Sequence, residues 1–167
     1  SYSYIGYNLR KPLFQDRRVR QALTMLVNRE RILKDIYYGL GRIAIGPFYH
    51  DSPYYDKGLE PWPFDPQKAK QLLAEAGWRD TDGDGVLDKD GVKFEFTMME
   101  IANSPTQTRM FPIIKEDFAK VGIDMKIQTF EWSVYIQRLD QRNYEACSLA
   151  WSMPYDPDLY QVWHSDS

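Results

Sequence analysis

The chain has one cysteine, Cys147, and two histidines, His50 and His164, and each shortage removes a class of chemistry. A lone thiol forms no internal disulfide, and neither histidine lies near it in sequence to build a Cys–His nucleophile pair. The neighbours Ala146, Leu149 and Ala150 give the thiol an apolar strand setting, where sulfur packs as a small hydrophobe. No Gly-rich phosphate loop follows a strand, and no nucleophile motif surrounds a serine. Acidic pairs such as Glu30 with Asp35, or Asp156 with Asp158, have the form of caps and helix-face charges. Catalysis is not expected.

Basic charge is equally scarce. The 21 Lys and Arg against 24 Asp and Glu leave a net charge of −3, and no basic block stands out to track a phosphate backbone, which excludes a nucleic-acid partner. No apolar run approaches the length of a membrane span and no charged-then-apolar leader opens the chain, so direct membrane insertion is not expected. Repeats and low-complexity segments are absent as well.

What is present is a 167-residue chain, 43% hydrophobic, with 12 Tyr and 5 Trp. That is enough for one sizeable core and suggests a single domain over 1–167. Rigid amphipathic rings in such number suit the gripping of extended or sugar-like ligands.

The element order reads strand, two helices, long loop, helix, then strand–helix–strand–helix–strand. Residues 2–9 form a first strand; Asp16 caps a helix to about Val27 whose Val19, Ala22, Leu23 and Leu26 share one stripe. Asn28 caps a second helix, stopped by Gly39. Residues 40–64 carry Gly and Pro interleaved with Tyr and Trp, the pattern of a long ordered loop. Asp65-Pro66 starts a helix that Gly77 ends. Val92, Phe94, Phe96 and Met98 alternate as one strand, and Ser104-Pro105 opens a helix to Gly122 in which Pro112 is a candidate kink. Ile123, Met125 and Ile127 mark the next strand. Trp132, Tyr135, Ile136 and Leu139 mark the inward stripe of another helix, residues 146–151 a buried strand, and Leu159 to His164 a last helix. The fold class is α/β, a mixed sheet flanked by helices.

Particular segments add a resemblance. Tyr4-Ile5-Gly6-Tyr7-Asn8 before an Asp16-x-Arg18-Val19-Arg20 helix, the run Asp65-Pro66-Gln67-Lys68-Ala69 through Ala76-Gly77-Trp78, Asp82-Gly83-Asp84-Gly85, Phe118-Ala119-Lys120-Val121-Gly122-Ile123, and Trp151 through Asp158 occur in one order. Together they resemble the extracytoplasmic solute-binding proteins, family 5, of peptide and nickel ABC importers. The resemblance implies one lobe of a type II periplasmic-binding-protein-like fold, here the second, C-terminal lobe of a two-lobe protein, truncated at both ends. It implies a periplasmic or extracytoplasmic setting, with or without a lipid anchor in the parent. It also implies half of a cleft for a small solute or peptide, and a membrane permease as partner of the full-length protein.

By the rule that ligands sit outside the carboxyl ends of strands, Trp151, Met153 and Tyr155 fall at the cleft floor, with Trp151 and Tyr155 as plain core aromatics the alternative. Peptide-binding relatives follow the strand-end Trp with an acidic residue for the ligand's amino terminus; Ser152, Met153 and Pro154 stand there, and Asp156 is either a helix cap or that partner. Some dipeptide-binding relatives hold the ligand carboxylate with an Arg in the loop after the 92–98 strand. Here that loop carries Ile101 and Asn103, with Arg109 well along, so neutral or sugar-like ligands suit the site as well as peptides.

The rival signal is acidic. Asp80, Asp82, Asp84 and Asp88 alternate like the start of a calcium loop, which would make the chain a calcium-stabilised structural module. Gly91 stands where an EF-hand needs its bidentate Glu, and the alternative is a plain hairpin turn needing no cofactor.

Overall fold

In the computed structural model, residues 1–152 and 154 are described. The sequence expectations for Met153, Tyr155, Asp156 and the 159–164 helix lie outside these residues.

Four helices begin where a short polar side chain satisfies an orphan backbone N–H. Asp16 accepts from Arg18 at the start of α1 (Arg17–Met25), Asn28 from Arg31 at α2 (Arg29–Asp35), Asp65 from Lys68 at α3 (Pro66–Glu75) and Ser104 from Gln107 at α4 (Pro105–Ala119). Such a cap contributes about 1 kcal/mol. The fifth helix, α5 (Trp132–Asp140), has no side-chain cap. Pro112 lies inside α4, which runs through it unbroken.

The strands are β1 (Tyr2–Tyr7), β2 (Asp88–Lys89), β3 (Val92–Lys93), β4 (Glu95–Ile101), β5 (Asp124–Phe130) and β6 (Ala146–Trp151). Two expectations need correction here. The single strand drawn over 92–98 is two strands, because Asp90 and Gly91 take positive φ (52° and 78°) and form a tight hairpin that pairs β3 with β2. Only past Phe94 does the chain join the main sheet. A 3-10 turn at Pro12–Phe14 was also not foreseen; it carries Phe14 into the core against Tyr7 and Phe96.

The main sheet runs β1-β6-β4-β5, with β1 antiparallel to β6 and the other three parallel. Strand alternation splits its side chains between two cores. Phe96, Met98 and Met125 face α1, α3 and α4, where Val19, Ala22, Leu23, Leu26, Ala69, Leu73, Phe111, Ile114 and Phe118 are all buried. Burying a large side chain of this kind contributes about 1.5–3 kcal/mol, so this layer dominates stability. Met99 and Cys147 face Tyr135 of α5 on the opposite side.

Two close approaches fix the chain's path. A Cβ on Gly6 would meet Cys147 Sγ at 3.2 Å, so the glycine lets the thiol pack beneath β1. Gly122 sits at φ +85°, and a Cβ there would lie 2.9 Å from Leu87 Cγ, so the acidic turn closes onto the α4–β5 corner. Buried Asn8 completes the frame: its side-chain amide donates to the carbonyls of Arg142 (3.0 Å) and Tyr144 (2.8 Å), and its backbone N–H to Glu145 (2.8 Å). That ties the end of β1 to the turn entering β6.

The 40–64 loop contains no helix or strand. It is pinned by buried Ser52, by the Arg29 side chain on the Trp62 carbonyl, and by the Asp65 N–H on the Met25 carbonyl at 3.0 Å.

Candidate functional site

The parallel strands β4, β5 and β6 end at Ile101, Phe130 and Trp151 on one edge of the sheet. The chain goes from β4 through α4 to β5 on one side, then through α5 to β6 on β4's other side, with α4 and α5 on opposite faces. The strand order therefore reverses between β4 and β6, and a crevice outside their carboxyl ends is where open α/β sheets take ligands. The N-termini of α4 and α5 open at the same edge and favour anions or carbonyl groups there.

The two strands bordering that point are barely joined. β4 pairs with β5 at seven successive positions, from Glu95–Asp124 to Ile101–Phe130, but meets β6 at one, Met98 opposite Ala146. Above that rung, side chains take the place of backbone partners. Ile101 N–H donates to Gln107 Oε1 at 2.7 Å, and Gln107 Nε2 donates to the Ser148 carbonyl at 2.9 Å. From the opposite face the Tyr135 hydroxyl accepts from Ser148 N–H and donates to the Ser148 carbonyl, both at 3.1 Å. Below the rung, Thr97 N–H donates to Glu145 Oε2 at 2.8 Å. Beyond the single rung, the Gln107 amide bridges β4 to β6 and the Tyr135 phenol caps the Ser148 backbone groups that face β4. Burial pushes the Tyr135 hydroxyl well above the usual tyrosine range, which keeps the proton it donates.

Three of the expected site residues, Trp151, Ile101 and Asn103, fall within the described residues. Trp151 ends β6 opposite Tyr2, is 40% exposed, and lies near the Tyr4 hydroxyl. Ile101 ends β4 half-buried, and Asn103 is exposed in the next turn at φ +60°. These three share the crevice edge. Arg109 does not reach it: its guanidinium donates to the Tyr38 hydroxyl and the Asp35 carbonyl, both at 3.0 Å, and lies over the Tyr38 ring.

Four residues at this edge were not picked out from the sequence as site residues. Gln107 and Tyr135 read as ordinary helix positions. Trp132, expected on the inward stripe of α5, is instead 54% exposed and stacks on Tyr135 at 6.1 Å, because no element among the described residues covers the first turn of that helix. Glu100 is a buried carboxylate that accepts from the Thr108 and Thr129 hydroxyls, both at 2.8 Å, one position before the strand ends.

The acidic turn resolves differently. Carboxylate oxygens of Asp80, Asp82 and Asp88 lie within 4.8 Å of one another. Yet Asp80 accepts from Gly83 and Gly85 N–H, Asp84 from Val86 N–H, and Asp88 takes both donors of Thr81. The Lys93 ammonium bridges Asp82 (2.6 Å) and Asp84 (2.9 Å), whose hydrogen bonds hold it charged well above the ordinary lysine range. These residues do not fit a calcium loop of the EF-hand kind: a lysine compensates the charge, and Gly91 offers no carboxylate.

Cys147 is buried, and burial pushes its thiol up to about 11, consistent with a packing role. A groove of about 570 Å³ runs along β1 beneath the start of the long loop, lined by Tyr2, Tyr4, Tyr7, Tyr37, Arg29 and Arg42 among others.

The profile of the family described as "Bacterial extracellular solute-binding proteins, family 5 Middle" matches residues 1–167. The chain belongs to this family. It is 40% identical to the oligopeptide-binding protein AppA of Bacillus subtilis over 99% of its length, and 34% identical to the dipeptide-binding protein of Escherichia coli over 94%. It spans 31% and 28% of those relatives, so it corresponds to about a third of each. The solved structure of AppA in complex with a nonapeptide superposes with a TM-score of 0.92 at 38% identity, covering 99% of this chain and 34% of that one. NikZ of Campylobacter jejuni in complex with Ni(L-His) gives 0.86 at 28% identity, covering 96% of this chain and 32% of that one. The mixed sheet is thus that of the family 5 solute-binding proteins, and the family consists of binding proteins, not enzymes. No described helix is long and apolar enough to cross a membrane.

Proposed function

We propose that this family 5 chain is the second ligand-binding lobe of a two-lobe solute-binding protein that captures an oligopeptide, dipeptide or similar small polar solute for an ABC importer. The observation that carries this reading is the single-rung junction of β4 and β6 where the strand order reverses, with Trp151 half-exposed at the end of one strand and Ile101 and Asn103 at the end of the other. Residues 1–167 act as one domain. The parent protein works in the periplasm or another extracytoplasmic compartment, with or without a lipid anchor, and hands its solute to a membrane permease.

Trp151 offers a face for stacking, and Asn103 an exposed amide for the ligand backbone. Met153, Tyr155 and Asp156, which follow Trp151 in sequence and lie outside the described residues, are further proposed ligand contacts. Peptide-binding relatives support peptides as the first solute class to try.

Titration calorimetry of the full-length protein with peptides of two to nine residues tests the proposal. Binding to the parent, with at least a roughly hundredfold loss in the isolated 1–167 chain, is expected because closure of the opposing lobe supplies the remaining contacts and desolvation. Equal affinity in the two would overturn the half-site reading, and a parent that binds no peptide would overturn the solute class.

A further inference from the structure

Resting on that reading of the crevice, we propose that Gln107 and Tyr135 are positioning residues that hold β4 and β6 apart, and thereby set the width of the binding crevice and the pose of Trp151. In a parallel ladder the Ser148 carbonyl would accept directly from a β4 backbone N–H. Here the Gln107 amide is inserted between them, accepting from Ile101 at 2.7 Å and donating to Ser148 at 2.9 Å. Tyr135 braces the backbone of the same residue from the other face, bonding both the N–H and the carbonyl of Ser148 at 3.1 Å.

The wedge is rigid for physical reasons. Gln107 is 7% exposed and Tyr135 fully buried, so neither side chain exchanges its partners for water. Ser148 stands three residues before Trp151, so a shift in its peptide unit carries the strand end with it. Neither side chain is placed to touch a ligand; both act through β6.

The test uses the full-length protein labelled with 5-fluorotryptophan, the Trp151 resonance being assigned with Trp151→Phe. Affinity is read with a fluorescein-labelled nonapeptide of mixed sequence, and circular dichroism establishes that each variant is folded. Gln107→Leu keeps side-chain bulk but removes both bonds. It is expected to shift the ligand-free Trp151 resonance and weaken the nonapeptide tenfold or more.

Gln107→Glu supplies the rescue. A protonated carboxyl presents one acceptor and one donor, as the amide does, whereas the ionised form turns a second acceptor toward the Ser148 carbonyl. This variant should therefore match wild type in resonance and affinity at about pH 5 and resemble Gln107→Leu at about pH 8, relative to wild type over the same range.

A folded Gln107→Leu with unchanged Trp151 resonance and affinity overturns the proposal. If Gln107→Leu does not fold, a Gln107→Glu resonance that tracks wild type from pH 5 to pH 8 overturns it instead. Should wild type bind no nonapeptide, the solute class fails while the ligand-free resonance still judges the wedge.

Discussion

The acidic turn at 80–88 and the crevice between β4 and β6 are both dense in polar groups, yet they are built to opposite ends. In the turn, the Asp side chains fold back onto the backbone N–H groups of their own loop, and Lys93 closes the charge. Along the β4–β6 junction, Gln107 and Tyr135 above the rung and Glu145 below it take up backbone groups that two neighbouring strands would normally offer each other. The first arrangement seals a corner. The second replaces a backbone ladder with side chains at the point where the strand order reverses.

The sharpest way to break the comparison is Tyr135→Phe. Removing one hydroxyl leaves the buried Ser148 N–H without its acceptor, and stability should fall by about 1–3 kcal/mol in denaturant unfolding. Asp84→Asn in the turn should cost much less, since its acceptor oxygen is retained on an exposed side chain. Equal losses would remove the distinction.

Much of this frame was legible in the sequence, and the reasons are local. The caps Asp16, Asn28, Asp65 and Ser104, the stripe from Val19 to Leu26 and the alternation at Phe94, Phe96 and Met98 are short-range patterns, and all recur in the structure. The wedge was not legible, because Gln107 bonds Ser148 across 41 positions and no spacing rule links them. Ser104-x-x-Gln107 even has the form of a capping box, in which Gln would turn back to the Ser104 backbone. Instead Ser104 N–H donates to the Ile101 carbonyl and the glutamine is released to the strands. The Asp90-Gly91 hairpin was readable in principle from its dipeptide, and the continuous apolar alternation through Val92 masked it.

On the binding side, Trp151→Ala in the full-length protein should weaken peptide binding by about 1–3 kcal/mol, the range for a lost aromatic anchor, as read by calorimetry. A folded variant with unchanged affinity would assign the ring to packing against Tyr4.

A smaller effect distinguishes the turn by pH. The Lys93 bond holds the Asp82 carboxyl below its usual range, and the Thr81 donors do the same for Asp88. Groups depressed in the folded state contribute stability above their unfolded pKa, about 4, and lose it as pH falls through the lower folded values. The melting temperature of the 1–167 chain should therefore drop on acidification from about pH 5 to about pH 2, and less steeply in Lys93→Met. Identical slopes would show that the lysine does not govern Asp82.

The smallest expected response is to calcium. Adding about 1 mM calcium should leave the melting temperature unchanged, whereas a site filled to a thousandfold excess over its dissociation constant would add about 4 kcal/mol. A rise of several degrees, abolished by Asp82→Asn with Asp84→Asn, would make the turn a cation site and erase its contrast with the crevice.

The place of β1 carries a consequence for how the chain is made. Tyr2 pairs with Trp151 and Tyr7 with Ala146, so during synthesis β1 meets its described partner only after well over a hundred further residues have followed. At about 5–20 residues per second, β1 waits on the order of ten seconds with an unpaired, tyrosine-rich edge. Its pairing then closes a loop of well over a hundred residues, a contact that slows folding. During that interval the nascent chain depends on whatever shields Tyr2, Tyr4 and Tyr7, and substitutions there are expected to lower the yield of soluble protein before they alter its final stability.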